Sequence, residues 1–269
     1  MNSGEQAVRL ARALPGLFRE VDAGSDPGPL LVGGPPLEVA TLSRALSEGG
    51  DQSLIRSTGL VGIEGLDGAA LVYVIAGDAS PADERVLREA ERAGLPVVCL
   101  VLGGAGWGGR VLPYVPPTNV VRAPALDATT VDAVAERLAR RAGEVAWMLA
   151  QGLPVLRRPV ADALVARFAR QNALIGAAVF VPGADLPLLT LNELRLVLRI
   201  GAAYGLEPAR TRRIALGAIL GLGFGLRGLA RRAVQLAPIP GFAVKSGVAY
   251  AGTRAIGKAA IALAEREAT

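Results

Sequence analysis

The sequence predicts an α/β domain with a mainly parallel sheet, followed by an all-α region. Short apolar runs alternate with helix-like segments from residue 29 to about residue 143, which is the pattern of a layered α/β domain. The central runs are apolar without interruption, as expected for strands that are covered on both faces. From about residue 144 the strand pattern stops, and helical segments are separated by Pro and Gly.

The predicted strands are short, aliphatic and bounded by turn residues. They are Pro29–Val32, Leu54–Ser57, Ala69–Ala76, Val97–Leu102 and Asn119–Ala123. Helices are predicted between them at Leu37–Leu46, from Ser80 to near Gly94, and from Thr130 to Arg141. Alternation of this kind favours parallel strands that are joined by helical crossovers.

Capping residues predict where the helices begin. Ser80 is the predicted N-cap of the second helix, because Pro follows at the first helical position and an acid stands at the third. Thr130 is predicted to cap the third helix, and Thr190-Leu-Asn-Glu193 matches a capping box in the helical region. Five helices are predicted there: Glu144–Ala150, Arg158–Val179, Leu191–Tyr204, Pro208–Val234 and Phe242–Glu267.

The domain plan follows from these segments. Residues 1–28 are predicted as an amphipathic helix and a polar linker, residues 29–143 as the α/β domain, and residues 144–269 as a basic, apolar helical domain. A chain of 269 residues is long enough for a sizeable core. No apolar signal-peptide core is visible near the N-terminus, so the predicted location is cytoplasmic, with peripheral contact to the inner face of the cell membrane as an option.

The composition excludes several classes of chemistry. The chain has no His, which removes His-based triads and His metal sites. The single Cys99, inside an aliphatic strand, is predicted to be a buried thiol and excludes an intramolecular disulfide. We therefore predict no metal, no cofactor and no catalytic residues.

Charge is divided unevenly along the chain. Residues 1–150 carry a net charge of −5, and residues 151–269 carry +10. The basic half is also the Gly-rich, apolar half, which favours an anionic membrane surface over nucleic acid as its partner. Arginines that only solvate the outside of a helical bundle are the other reading.

Residues 33–46, GGPPLEVATLSRAL, follow a predicted strand and open a helix, which is the place of a phosphate-binding loop. In the pattern G-x-x-x-x-G-K-[ST], the Lys contacts phosphate and the hydroxyl binds Mg²⁺. Counted from Gly33, the second Gly falls on Glu38, the Lys on Val39 and the hydroxyl on Ala40, while Thr41 continues the register. The loop is therefore predicted to be non-functional. A simple strand-to-helix turn is the alternative.

Three further segments follow in the order of a small GTPase. Arg56-Ser-Thr-Gly59 stands at the Asp-x-x-Gly switch, Gly103-Gly-Ala-Gly106 at the guanine-reading motif, and Pro124-Ala125 at a Ser-Ala pair. The α/β part thus resembles a small GTPase domain of the Era-like group of P-loop NTPases, with its phosphate, Mg²⁺ and guanine residues missing. Between Leu46 and Leu54 the chain is too short for a normal first switch and its strand.

The helical half carries a second resemblance. The matching segments are Leu186–Leu194, Ala203–Leu206, Gly217–Gly228 and Ala237–Gly241 with Gly257-Lys-Ala after it. They resemble the uncharacterised helical domain that follows the G domain in some bacterial Era-like GTPases and occurs in a related family of bacterial inner-membrane proteins. The resemblance implies a GTPase-associated module near a membrane, and no catalytic residue to transfer.

Small and basic residues mark two candidate surfaces in this half. A helix-packing face is predicted at Gly217, Gly221 and Gly225, which could pack within the chain or against a second copy. Contacts to an anionic surface are predicted at Arg227, Arg231 and Arg232. The longest charge-free stretches, Gln171–Ala184 and Ile214–Leu226, are too short for an ordinary membrane-spanning helix.

Three functional hypotheses follow. The first is a non-catalytic pseudo-GTPase scaffold or adaptor whose helical domain docks on a membrane surface or a protein partner. The second is an unorthodox nucleotide-binding enzyme that uses backbone amides and Arg56. The third is a nucleic-acid binder through the basic half, which is disfavoured because the few aromatic residues there lie in apolar segments and offer no stacking surface.

Overall fold

A computed structural model describes residues 26–58, 66–103, 112–178, 186–211 and 241–268, together with positions 16 and 213. Its chain contacts divide into two compact units. The first, Ser25–Val160, is the α/β unit. The second, the helical unit, comprises Met1–Gly24 and Ala161–Thr269, and apart from Gly16 its described residues begin at Ala161. The predicted N-terminal helix falls almost entirely outside the described residues.

The α/β unit contains one five-stranded sheet in the order β2-β1-β3-β4-β5, in which every neighbouring pair is parallel. The strands are β1 (Leu30–Gly33), β2 (Ile55–Thr58), β3 (Ala70–Ala76), β4 (Val97–Leu102) and β5 (Val120–Ala123). This is the strand order of flavodoxin-like doubly wound sheets. All five predicted strands are confirmed to within a residue at each end.

Helices cover both faces of this sheet. They are α1 (Pro36–Leu46), α2 (Pro81–Arg92), α3 (Ala128–Arg141) and α4 (Val145–Gly152). The α2 helix packs on the odd-numbered residues of the strands, such as Tyr73 and Cys99, in a single buried cluster. Because side chains alternate between the faces of a strand, α1 and α3, which contact each other, lie on the opposite face. Burial on both faces explains the uninterrupted apolar strands.

The helix starts of this unit confirm one predicted cap and correct another. Ser80 and Asp83 form a reciprocal capping box at α2, as predicted for Ser80. The prediction that Thr130 caps α3 is wrong, since α3 begins at Ala128 and the Asp127 carboxylate accepts the Thr130 N–H. Asp is a stronger N-cap than Thr, and the Thr130 hydroxyl instead donates to the Ala125 carbonyl oxygen at 2.9 Å.

Three long helices follow: α5 (Pro154–Ala178), α6 (Leu186–Ala203) and α7 (Gly241–Ala268). The division between the units falls inside α5, later in the chain than the predicted border at 143/144. The predicted capping box at Thr190 is wrong, because α6 already begins at Leu186 and Thr190 lies within it. Pro187 is tolerated in the first helical turn, where its missing N–H has no partner to lose. Of the predicted Pro208–Val234 helix, residues 208–211 are described, and they are helical.

A buried polar layer aligns the three long helices. The Asn172 side chain of α5 accepts a hydrogen bond from the Asn192 amide of α6 at 2.9 Å. It donates its own amide to the Thr253 hydroxyl of α7 at 2.8 Å. Asn172 and Thr253 are fully buried. These three residues, the Asn172 layer, therefore lie at one level of the bundle.

A second set of contacts gives the direction of each helix. The Tyr204 hydroxyl, just after α6, donates to the Glu265 carboxylate of α7 at 3.3 Å. The α7 residue Gly257 packs directly on Val165 of α5. Hence α6 and α7 run in the same direction and α5 runs opposite to them. The end of α5 and the starts of α6 and α7 share one end of the bundle.

The fold class is confirmed at this coarser level: a parallel α/β unit is followed by a helical unit.

Candidate functional site

The turn between β1 and α1 is the candidate nucleotide site. Strand β1 ends at Gly33 and α1 begins at Pro36, so only Gly34 and Pro35 lie between them. A phosphate-binding loop keeps four residues between its first glycine and the Gly-Lys pair. Here Pro36 and Leu37, two of those four, are already helical. The connection is therefore a tight strand-to-helix turn.

Gly34 lies against the neighbouring strand β3. Its φ angle is +132°, which L side chains rarely adopt. A Cβ added to Gly34 would lie 3.0 Å from the Val74 Cβ and would collide with the Val74 carbonyl oxygen. The β3 side of the turn is thus filled by backbone, and the residue must be glycine.

The helix start is a poor anion site for a second reason. Helix N-termini bind phosphate through free backbone N–H groups that point at the ligand. Pro35 is the N-cap and Pro36 occupies the first helical position, and neither has an N–H. The Val39 N–H is already used by the Pro35 carbonyl oxygen at 2.9 Å. The loss of these backbone donors can be read from the two consecutive prolines in the sequence, which the comparison with the phosphate-loop motif did not consider.

The structure places the remaining residues of the predicted loop on α1. Val39, at the position of the phosphate-binding Lys, is buried at 5% exposure in the core. Ala40 and Thr41 face solvent, and the Thr41 hydroxyl donates to the Leu37 carbonyl oxygen at 2.8 Å. Glu38 is half-buried in the first turn of the helix. A lysine at position 39 would therefore point into the core.

The glycines that directly follow β3 and β4 are held to the neighbouring strands by backbone hydrogen bonds. Gly77 follows β3 and donates its N–H to the Leu102 carbonyl oxygen at 2.9 Å. Gly103 follows β4 and donates to the Ala123 carbonyl oxygen at 3.0 Å. Neither the β1–α1 turn nor residues 77–80 contain Lys or Arg, and Asp78 is exposed there. In these two turns a nucleotide would meet the exposed Asp78 carboxylate and no Lys or Arg.

Arg56, which the nucleotide-enzyme hypothesis needs, has a different partner. Its guanidinium donates to the Asp67 carbonyl oxygen at 3.2 Å. Arg56 lies on β2, the edge strand of the sheet. The Gly77 turn follows β3, which lies on the other side of β1 from β2. This hydrogen bond gives Arg56 a structural role at the sheet edge.

A buried polar cluster in the α/β unit escaped the sequence reasoning. The Tyr73 hydroxyl on β3 donates to one oxygen of the Asp83 carboxylate at 2.8 Å. The other oxygen accepts the backbone N–H and the hydroxyl of Ser80, both at 2.7 Å. Burial and the Asp83 carboxylate raise the pKa of Tyr73. The sequence does contain a signal for this cluster: Tyr73 is the one tyrosine in an aliphatic strand, and the capping-box acid Asp83 follows ten residues later.

Cys99 is confirmed as a buried strand thiol. It is fully buried on β4, where it pairs in register with Tyr73. Burial, with a further contribution from the Asp83 carboxylate, raises the pKa of the Cys99 thiol to about 12. The thiol is therefore protonated and inert near neutral pH.

The predicted glycine face and arginine cluster, residues 217–232, lie outside the described residues. One glycine of α7 bears on the packing prediction. A Cβ on Gly257 would collide with the Val165 side chain, so this glycine allows α5 and α7 to approach closely. Gly247, by contrast, has no neighbour within 4 Å of an added Cβ.

Phe168 of α5 and Tyr204, which directly follows α6, belong to the core. Phe168 is 3% exposed and Tyr204 is 6% exposed. The Arg199 guanidinium lies over the Phe168 ring, 5.7 Å from its centre. Neither ring is available to stack on a nucleic-acid base.

Within the described ranges, no helix combines the length and the apolar character needed to cross a bilayer. Those ranges also contain no group of three or more acidic or Cys side chains arranged to hold a metal ion.

Comparison with known proteins adds no relative. No model of a protein family matches the chain, and no curated protein or solved structure does so either.

Proposed function

We propose that this protein is a non-catalytic scaffold. In this proposal a GTPase-like α/β unit without a working nucleotide site is joined to a basic helical unit that docks on an anionic membrane surface. The short, filled turn between β1 and α1 is the observation that carries the first part. The net charge of +10 over residues 151–269 supports the second part.

Three features of the β1–α1 turn act together against nucleotide binding. Gly34 has no free volume on the β3 side, and Pro35 and Pro36 remove two backbone donors. Glu38 then places a carboxylate in the first helical turn. A carboxylate about 5 Å from a phosphate costs on the order of 3 kcal/mol at an effective dielectric constant of about 20.

Calorimetry tests the nucleotide part on the full chain. We expect no binding heat from GTP, GDP or ATP at high micromolar concentration, with or without Mg²⁺. The variant Glu38→Gln removes the local negative charge and leaves the turn intact. It should also fail to bind, because the missing donors and the filled turn remain. Micromolar binding by the natural chain would contradict the proposal, and binding by Glu38→Gln alone would show that charge, rather than turn geometry, is the obstacle.

Flotation with vesicles tests the docking part. Vesicles that contain phosphatidylglycerol should carry the full chain upward at low salt, whereas vesicles of phosphatidylcholine alone should not. Binding should weaken at moderate salt, because the Debye length shortens and screens the attraction. If the protein stays at the bottom with anionic vesicles under both salt conditions, the membrane part of the proposal is wrong.

A further inference from the structure

One end of the three-helix bundle exposes large apolar side chains. We call it the bundle tip: exposed Leu174 near the end of α5, exposed Leu188 near the start of α6, and half-buried Tyr250 in the first half of α7. All three lie on the same side of the Asn172 layer, because α5 runs opposite to α6 and α7. Leu174 is 70% exposed and Leu188 is 52% exposed.

Two arginines lie just behind this tip, on the other side of the Asn172 layer. The Arg254 guanidinium donates to the Tyr250 hydroxyl at 3.1 Å and lies 5.7 Å from the centre of the Tyr250 ring. Arg170 is exposed on α5, one turn before Leu174. Long basic side chains and tyrosines with an apolar body and a polar end are typical of the membrane–water interface.

Acidic side chains are concentrated toward the opposite end. Glu193, next to the Asn172 layer, is the exception among the described residues of the helical unit. The other described acids of this unit lie toward the far end of the bundle: Asp162, Glu207, Glu265 and Glu267. Basic residues also lie on this far side of the Asn172 layer, but within three residues of the layer Arg170, Arg195 and Arg254 outnumber the single acid Glu193. The excess of basic residues just behind the apolar tip complements an anionic headgroup layer.

We propose that the bundle tip is the membrane-contacting end of the helical unit. Leu174 and Leu188 enter the headgroup–acyl boundary, and Arg170 and Arg254 bind the phosphates of anionic lipids around them. The inference rests on the proposed function, and it adds which end of the bundle meets the membrane and which residues do so.

The far end of the same bundle supplies matched controls. Leu263 of α7 is 39% exposed there, and Arg266 is exposed three residues later. The double variant Leu174→Asn/Leu188→Asn should bind phosphatidylglycerol vesicles about tenfold more weakly or worse, the factor expected when one leucine side chain loses its apolar environment. Leu263→Asn should bind like the natural chain. Arg254→Glu should weaken binding to the vesicles, and a lower salt concentration should then release the protein from them. Arg266→Glu should have a much smaller effect on both measurements.

A fluorescence measurement reports insertion directly and does not depend on a loss of affinity. In a background that lacks the two natural tryptophans, Leu188→Trp should shift its emission to shorter wavelength with phosphatidylglycerol vesicles, and Leu263→Trp should not.

Equal emission shifts at both positions, or equal loss of binding by the double leucine variant and Leu263→Asn, would overturn the assignment of the tip while leaving membrane docking intact. Failure of the natural chain to float would refute the proposed function itself. A dimer in solution that the double variant abolishes would reassign the tip to contact between two copies.

Discussion

The substitution Gly34→Ala tests whether the β1–α1 turn is as closely packed as its geometry indicates. The added Cβ would meet the backbone carbonyl and the Cβ of Val74 on β3. Gly77→Ala is the matched control, because Gly77 also has a positive φ, +83°, but an added Cβ there meets nothing within 4 Å. Both glycines follow neighbouring strands at the same edge of the sheet.

Both variants place alanine at a positive φ, but only Gly34→Ala also brings a Cβ against a neighbouring strand. Placing alanine at a positive φ costs about 1–2 kcal/mol, so Gly77→Ala should lower the free energy of unfolding by about that amount. Gly34→Ala must also displace the β1–α1 turn from β3, and overpacking of this kind costs a further 1–3 kcal/mol, roughly. The difference between the two variants therefore contains the close approach to β3 together with the extra backbone strain of alanine at +132°, which lies outside the left-handed helical region.

Urea unfolding followed by tryptophan fluorescence measures this difference. Trp147 is 4% exposed on α4 of the α/β unit, so its emission reports the unfolding of that unit. The Trp107→Phe background leaves Trp147 as the only reporter. We expect a lower midpoint for Gly34→Ala than for Gly77→Ala with an unchanged slope. Equal midpoints would refute the reasoning, because they would mean that the turn can move away from β3 at no cost and could open for a ligand.

Three further predictions concern the cores of the two units. In α7, Gly257→Ala should destabilise the protein through its collision with α5, whereas Gly247→Ala should stabilise it by up to about 1 kcal/mol through helix propensity, as thermal unfolding would show. Asp83→Asn should cost about 1–3 kcal/mol in urea unfolding, because the acceptors for Tyr73 and the capping box are no longer both present. The pKa of Cys99 is raised by burial from 9.0 to about 12, so its contribution to stability is present below pH 9 and is lost as the pH rises toward 12. Cys99→Ala should flatten that part of the stability–pH curve, and an unchanged curve would contradict the assignment.

The strands were predictable because their pattern reports burial directly. Runs such as Val97–Leu102 are apolar at every position, and only a strand covered on both faces buries them all. The Ser80 cap was predictable because its partner Asp83 is local. The start of α6 was not, because the capping-box pattern at Thr190 matches in residue types while the helix already begins at Leu186.

The candidate site was only half predictable, for a physical reason. Motif spacing shows that positions 38–40 lack the Gly, the Lys and the hydroxyl residue of a phosphate-binding loop, since Glu38, Val39 and Ala40 stand there. Spacing does not give the length of the turn, which depends on where α1 begins. Pro36 sets that start, since proline favours the first helical position. The close approach of Gly34 to Val74 depends on the pairing of β1 with β3, which no local pattern contains.

The connection after α1 is a second backbone feature that opposes nucleotide chemistry in the proposed scaffold. Between Leu46 and Ile55 the chain forms turns and a short 3-10 segment, and then enters β2 parallel to β1. A GTPase-like domain would need a switch segment there to complete its Mg²⁺ site, and these residues are too few for one. The short α1–β2 connection and the two-residue β1–α1 turn are features of the backbone, not of single side chains. Restoring Lys and Ser at positions 39 and 40 would therefore supply side chains without the backbone that must hold the phosphate between them. The lysine would also replace a side chain that is 5% exposed in the core.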